Sequence, residues 1–218
     1  MSIHRPVLGL ILISGVALLA DAPQPTPRPP SFMVLDFAGD GIALTTAAEG
    51  VTVTIEPKGP PAKVGWTRKG SDDAFLVHDG NGNRIVDAGE FVGSTMALTI
   101  DSRPVSGATV LALHLQGITI DDAGRPVGAL PENAGMLNKA DKGYGQLLVW
   151  TDVNHDGRSQ PSELKDLADA GVLEIRTGFR RKSGKDEAGN TPLFEGTWLL
   201  EQKGAPATRT ILEVVPAR

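Results

Sequence analysis

The stretch DVNHDGRSQPSE, residues 152–163, places acids or an amide at its first, third and fifth positions, glycine at its sixth and glutamate at its twelfth. A hard dication such as calcium takes roughly six to eight oxygens at about 2.3–2.6 Å, so a single short segment must wrap the ion tightly. In such a loop the first, third and fifth residues give side-chain oxygens and the seventh its carbonyl. The ninth often acts through water, the twelfth is bidentate, and glycine at the sixth permits the turn. Here these are Asp152, Asn154, Asp156, Arg158 (through its carbonyl), Gln160 and Glu163, with Gly157 at the turn. The alternative is a turn of Asp/Asn/Gly composition that holds no ion. Pro161 to Ala170 then predicts a helix, with Pro at its first position, Leu164, Leu167 and Ala168 on one face and Gly171 as stop. Glu163 is thereby expected on an exit helix.

A second loop, DGNGNRIVDAGE at residues 79–90, offers Asp79, Asn81, Asn83, the carbonyl of Ile85, Asp87 and Glu90. Arg84 occupies the turn position, where a residue with a Cβ is disfavoured at positive φ. Two of its early ligands are neutral amides, and ligand charge tunes affinity, so weaker binding is expected. LDFAGDG, residues 35–41, keeps only Asp36 and Asp40, with Ala38 between them. These two acids either complete a site contributed by another loop or belong to a plain β-turn. The full loops begin at residues 79 and 152, too far apart along the chain for a paired sensor. Each is expected to stand as a single structural site, with His155 facing solvent.

Around these loops the chain reads as short strands. Of 218 residues 40% are apolar but only 5% aromatic, while 26 glycines and 16 prolines favour many turns over long helices. FMVLDF, GIALTT, VTVTIE, KVGWTRK, AFLVHD and TMALTI are strand candidates, and VLEIRTGF, PLFEGTWLLEQ and TILEVVP predict a C-terminal antiparallel meander. Ala108, Leu111, Ala112 and Leu115 fall at the spacing of a short amphipathic helix. The predicted fold class is α+β and β-rich: short antiparallel strands, one or two EF-hand-like calcium loops and short helices.

The N-terminus predicts export. Arg5 precedes Val7 to Ala20, 14 residues of nearly unbroken apolar sequence, and Ala20-Asp21-Ala22 has the small-x-small form of a cleavage site. The apolar run is short for a membrane span, although an uncleaved anchor is the competing reading. The organisation is then a signal peptide at 1–22, a Pro-rich linker at 23–30 and a single domain at 31–218, in a secreted or periplasmic protein. A formal net charge of -5 excludes the basic footprint of a nucleic-acid binder and suits contact with divalent cations. With no cysteine, disulfides and thiolate metal sites are excluded. Calcium is the implied partner and cofactor. The sequence names no protein partner and no nucleic acid, and no membrane once the signal is cleaved.

VLDFAGDGIALT, KVGWTRKGSDDAFLVHDGNGNRIVDAGEFVG and LLVWTDVNHDGRSQPSELKDLADAGV occur in the order seen in a bacterial secreted calcium-binding domain. The chain resembles that family over roughly Phe32 to Val172. The family occurs near the ends of large hemolysin-type and repeat-rich surface proteins, and as stand-alone EF-hand-containing proteins. Its pattern runs LDLDGDG, an FDxDGDG turn, GWxxxxDGxLxxDxNGNGxID and VWxDxNxDGxSxxxEL. The resemblance implies calcium binding with structural loops. The chain departs from it at Ala38, at Arg84, and at IEPKGPPAKVGW, where the FDxDGDG turn has lost its acids.

Catalysis finds little support. There is no HExxH, GxSxG, P-loop or helix-opening GxGxxG, and His78, His114 and His155 share no ligand spacing. SELK (162–165) matches an acyl-enzyme motif in letters, but Glu163 belongs to the loop. Trp66, Trp150 and Trp198 suit a core better than a sugar platform. The expectation is a non-enzymatic calcium-binding protein. A calcium-dependent surface adhesion module and an exported hydrolase are the alternatives.

Overall fold

FMVL, AFLVH and LLVW are almost unbroken apolar runs too short for helices, which suits strands covered on both faces. The computed structural model describes residues 29–93, 98–100, 103–116, 118–120, 126–127 and 136–218. The signal peptide and nearly all of the Pro-rich linker expected from sequence lie outside the described residues. In chain order the elements are β1 (Phe32–Leu35), β2 (Val51–Val53), β3 (Ala62–Val64), β4 (Ala74–His78), β5 (Leu98–Ile100), β6 (Arg103–Val105) and α1 (Gly107–Leu115). There follow β7 (Thr119–Ile120), β8 (Pro126–Val127), β9 (Met136–Asn138), β10 (Leu147–Trp150), β11 (Leu164–Asp166), β12 (Val172–Arg176), β13 (Arg180–Arg181), β14 (Thr191–Gln202) and β15 (Ala205–Val215).

The main sheet runs β11-β10-β4-β1-β15-β14-β12-β9, with β13 added to β14. Every pairing in it is antiparallel, and the sheet curls into a half-barrel. Alternation along the strands splits the core in two. Met33, Leu35, Leu76, Leu147 and Val149 join one cluster, covered by Ala108, Leu111, Ala112 and Leu115 of α1. Phe32, Val34, Phe75, Val77, Leu148 and Trp150 join the other, covered by Trp66, Phe91 and the β2–β3 ribbon. The predicted C-terminal meander is present as β12, β14 and β15. Lys203 and Gly204, both at positive φ, make the two-residue turn of the β14–β15 hairpin.

The α+β expectation is corrected. The protein is mostly β, and among the described residues α1 is the one α-helix, so no helices flank the loops in EF-hand fashion. Pro161–Glu163 is a single 3-10 turn that passes directly into β11. Leu164 pairs with Trp150 across the sheet and joins one cluster, while Leu167 joins the other. The leucines that looked like one helical face therefore serve two opposite faces of a sheet.

The N-terminus of α1 meets a buried carboxylate. Glu213 of β15 is fully buried and accepts the Ser31 hydroxyl at 3.0 Å and the Gly107 N–H at 2.9 Å. Gly107 carries one of the N–H groups that a helix start cannot satisfy internally, and the helix dipole favours an anion there. Leaving a buried donor or acceptor unsatisfied costs about 1–3 kcal/mol. Glu213→Gln, which puts an NH2 where one oxygen accepted, is expected to lower unfolding stability by about 1 kcal/mol or more on that scale. A urea midpoint equal to that of the unaltered protein, at equal slope, would contradict this account.

Candidate metal centre

The Asp152–Glu163 loop leaves the end of β10 and returns into β11, closed at its base by Thr151 N–H to Glu163 O at 3.1 Å. Inside it, backbone amides converge on the acids. Asp152 Oδ1 accepts the Asp156 N–H at 3.1 Å, and Oδ2 the Gly157 N–H at 2.8 Å. Asn154 Oδ1 accepts the Asp156 N–H at 2.9 Å, and Asp156 Oδ1 accepts the Arg158 N–H at 2.8 Å. Glu163 Oε2 accepts the Gln160 N–H at 3.2 Å, and Oε1 the Val153 N–H at 3.0 Å. Gly157 takes φ 71°, and a Cβ there would press on Val51 of the β2–β3 ribbon.

The Asp79–Glu90 loop repeats five of these six bonds at matching positions. Asp79 accepts the Asn83 and Arg84 N–H groups at 3.1 and 3.0 Å. Asn81 Oδ1 accepts the Asn83 N–H at 2.9 Å, Asn83 Oδ1 the Ile85 N–H at 2.8 Å, and Glu90 Oε2 the Asp87 N–H at 2.9 Å. Arg84 reaches the turn conformation that its side chain disfavours, at φ 54°. Its guanidinium pairs with Asp166 of β11 at 2.9 Å. The turn itself therefore survives the loss of glycine. Burial, then the Asp87 and Asp79 carboxylates, raise the pKa of Glu90 against the N–H groups of Asp87 and Gly80 that it accepts. A cation among these carboxylates relieves that repulsion.

The side chains of the third, fifth and ninth positions meet in both loops. Asn154 donates to Asp156 Oδ2 at 3.0 Å and to Gln160 Oε1 at 2.9 Å, and Gln160 donates to the Arg158 carbonyl at 2.6 Å. Asn81 and Asn83 both donate to Asp87 Oδ2, at 3.0 and 2.9 Å. The residues that would hold a hard cation are thus gathered, with their amide nitrogens turned onto neighbouring acceptors. A cation would draw on their carboxylate and amide oxygens in place of those side-chain hydrogen bonds.

The two loops touch despite their separation along the chain. The Val86 N–H donates to Ser159 Oγ at 2.8 Å, joining the eighth residue of one loop to the eighth of the other. The strands they follow, β4 and β10, are hydrogen-bonded neighbours despite their distance in sequence. The solvent-facing expectation for His155 fails, because the ring is half-buried with Nε2 3.0 Å from the Glu49 carbonyl.

A third acidic turn follows β1. Asp36 accepts the Gly39 N–H at 2.6 Å and the Gly41 N–H at 3.0 Å, and oxygens of Asp36, Asp40 and Asp72 lie within 4.8 Å of one another. The other loop left open by the sequence is therefore the one carrying Asp72, whose carboxylate also accepts the Ala38 N–H. The Asp72 and Asp73 contribution was missed, and the adjacent acids of GSDDA were its only signal. The Arg209 guanidinium lies against Gly39, where it opposes a cation.

Two comparisons bear on kinship. A family model described as the SPM domain matches residues 33–210. The chain belongs to the SPM domain family. This SPM domain is also 31% identical over 170 residues to the iron-regulated protein FrpA of Neisseria meningitidis serogroup C, an alignment covering 76% of this chain and 14% of that protein. The chain thus spans a small part of that relative. Among the described residues no helix of this SPM domain is long and apolar enough to cross a membrane.

Asp73 gives the centre a pH dependence. Burial, then the charges of Asp72 and Asp36, raise its carboxyl from 3.8 to about 6, against the Ala43 N–H that it accepts at 2.9 Å. A carboxyl that titrates higher in the folded state binds its proton more tightly there. The contribution of Asp73 to stability therefore falls as pH rises from about 4 to about 6 and then levels off. In chelator, Asp73→Asn should melt like the unaltered protein near pH 4 and above it beyond pH 6 (about the raised pKa). Parallel melting curves across that range would refute the assignment.

Proposed function

We propose that this SPM domain binds calcium in the Asp152–Glu163 loop and, more weakly, in the Asp79–Glu90 loop, and that the ions are structural. The observation that carries the reading is the shared wiring: two segments far apart in sequence fold onto the same set of amide-to-carboxylate bonds. Asn154, Asp156, the Arg158 carbonyl and Gln160 would hold the ion between Asp152 and Glu163. In the other loop Asn81, Asn83, the Ile85 carbonyl and Asp87 would do so between Asp79 and Glu90. Calcium would supply the positive charge that the loop's carboxylates otherwise meet only with neutral N–H groups. The charged start and apolar run of the N-terminus support export, to a compartment where calcium is plentiful.

Extracellular calcium modules bind with Kd of roughly 10⁻⁴ to 10⁻³ M. Calcium at about ten times Kd stabilises the native state by about 1.4 kcal/mol per site. For a domain of this size that corresponds to a rise in melting temperature of about 3–6 °C. The test is a melt of the full chain in calcium, in magnesium and in chelator. Calcium should give the rise and magnesium should not. Glu163→Gln should abolish most of the difference between calcium and chelator, because a bidentate ligand charge is lost, and Glu90→Gln should remove less. No calcium shift at millimolar concentration would sink the reading, and a larger loss from Glu90→Gln would reverse the ranking of the loops.

A further inference from the structure

Two tryptophans reach the calcium loop from inside the core. Trp66 and Trp150 are 0% and 1% exposed, and their rings stand edge to face with centroids 5.5 Å apart. A buried indole has one hydrogen to donate and needs an acceptor for it. Trp66 Nε1–H donates to Asp152 Oδ2 at 2.8 Å, and Trp150 Nε1–H donates to Glu163 Oε2 at 3.2 Å. The acceptors are the first and last acids of the loop. We propose that Trp66 and Trp150 are positioning residues of the Asp152–Glu163 loop: as one packed pair they fix both ends of the ligand set for a hard divalent cation. This rests on the calcium reading of that loop.

The chemistry of the donor matters here. Asp152 and Glu163 are 4% and 6% exposed, so their carboxylates need partners within the protein. Lysine or arginine in the same place would neutralise the ligand charge and repel the ion. An indole N–H orients the carboxylate and leaves its full charge to the cation. The pair is itself held rigidly. The Trp66 backbone is held by Thr45: its N–H donates to Thr45 Oγ1 at 3.0 Å and its carbonyl accepts the Thr45 N–H at 2.8 Å. Trp150 ends β10, in register with Phe75 on one side and Leu164 on the other. Trp66 and Trp150 also pack on Phe75, with centroids 4.2 and 5.5 Å away. The Asp79–Glu90 loop has no tryptophan hydrogen-bonded to its end carboxylates among the described residues.

The chain's three tryptophans make the inference measurable, because Trp198 belongs to the other cluster and donates to the Thr210 carbonyl at 2.9 Å. Trp66→Phe and Trp150→Phe keep an aromatic ring and remove the N–H. Loss of an outer partner of a metal ligand typically lowers affinity about 10–100-fold. Calorimetric titration of the full chain with calcium chloride should show that loss for the tighter site in each variant and leave the weaker site unchanged. Intrinsic fluorescence of the unaltered protein should change with the same titration, and the double variant, emitting from Trp198, should stay silent. To separate the hydrogen bond from packing, the chain is also produced with the tryptophan analogue that carries sulfur in place of the ring N–H; its calcium affinity should fall as in the phenylalanine variants. If the unaltered protein binds no calcium, the functional reading fails and this proposal with it. If it binds, and the sulfur analogue and both variants bind within about twofold of it, well inside the usual outer-partner loss, the positioning role is overturned and the calcium reading stands.

Discussion

A strand covered on both faces can present polar chemistry only where it ends, and this constraint arranges the molecule. β1, β4 and β10 lie side by side, with α1 over one face and the Trp66 layer over the other. Each runs into an acidic turn: Asp36 follows β1, Asp79 follows β4, and Asp152 lies two residues beyond β10. In each turn the first carboxylate accepts the N–H of the residue five places on. That bond, with the others each acid accepts, satisfies carboxylate and amide together at the margin of an apolar layer. The same local solution is used three times because the same problem arises three times.

The loops were legible because their chemistry is local. The bonds of the turn span two to five residues, and Asp152, Asn154 and Asp156 accept the amides that their spacing brings to them. The spatial relation between loops was not legible, because it depends on β4 and β10 being neighbours across the sheet. No local pattern encodes the bond from Val86 to Ser159 or the pairing of Arg84 with Asp166. Asp72 was hidden for the same reason, since it reaches the Asp36 turn only through the β1–β4 register.

The helix expected after the loop failed for an instructive reason. Leu164 and Leu167 are three residues apart, which fits one face of a helix. In a strand followed by a turn, that spacing carries side chains to opposite faces, and here both faces are core. A double-sided sheet hides the alternation that normally distinguishes a strand, so period alone could not decide. The α1 segment was legible because Ala108, Leu111, Ala112 and Leu115 repeat at helical spacing and meet a single cluster.

Without flanking helices, a loop of this kind needs another way to hold its ends. In a helix-flanked loop, ion binding can reorient helices and expose a groove. Here the ends are strand termini hydrogen-bonded into one sheet, and their carboxylates are held by indoles of the hydrophobic core. An ion between Asp152 and Glu163, as proposed, would tie β10 to the edge strand β11, and Arg84 ties β11 back to the neighbouring loop. The energy of such binding would go into closing a sheet edge, since the loop ends are paired strand termini with no flanking helix to reorient. A short terminal strand such as β11, only three residues long, has few ladder bonds of its own. The physical logic of the fold therefore favours a cation that completes the edge of the sheet over one that switches its shape.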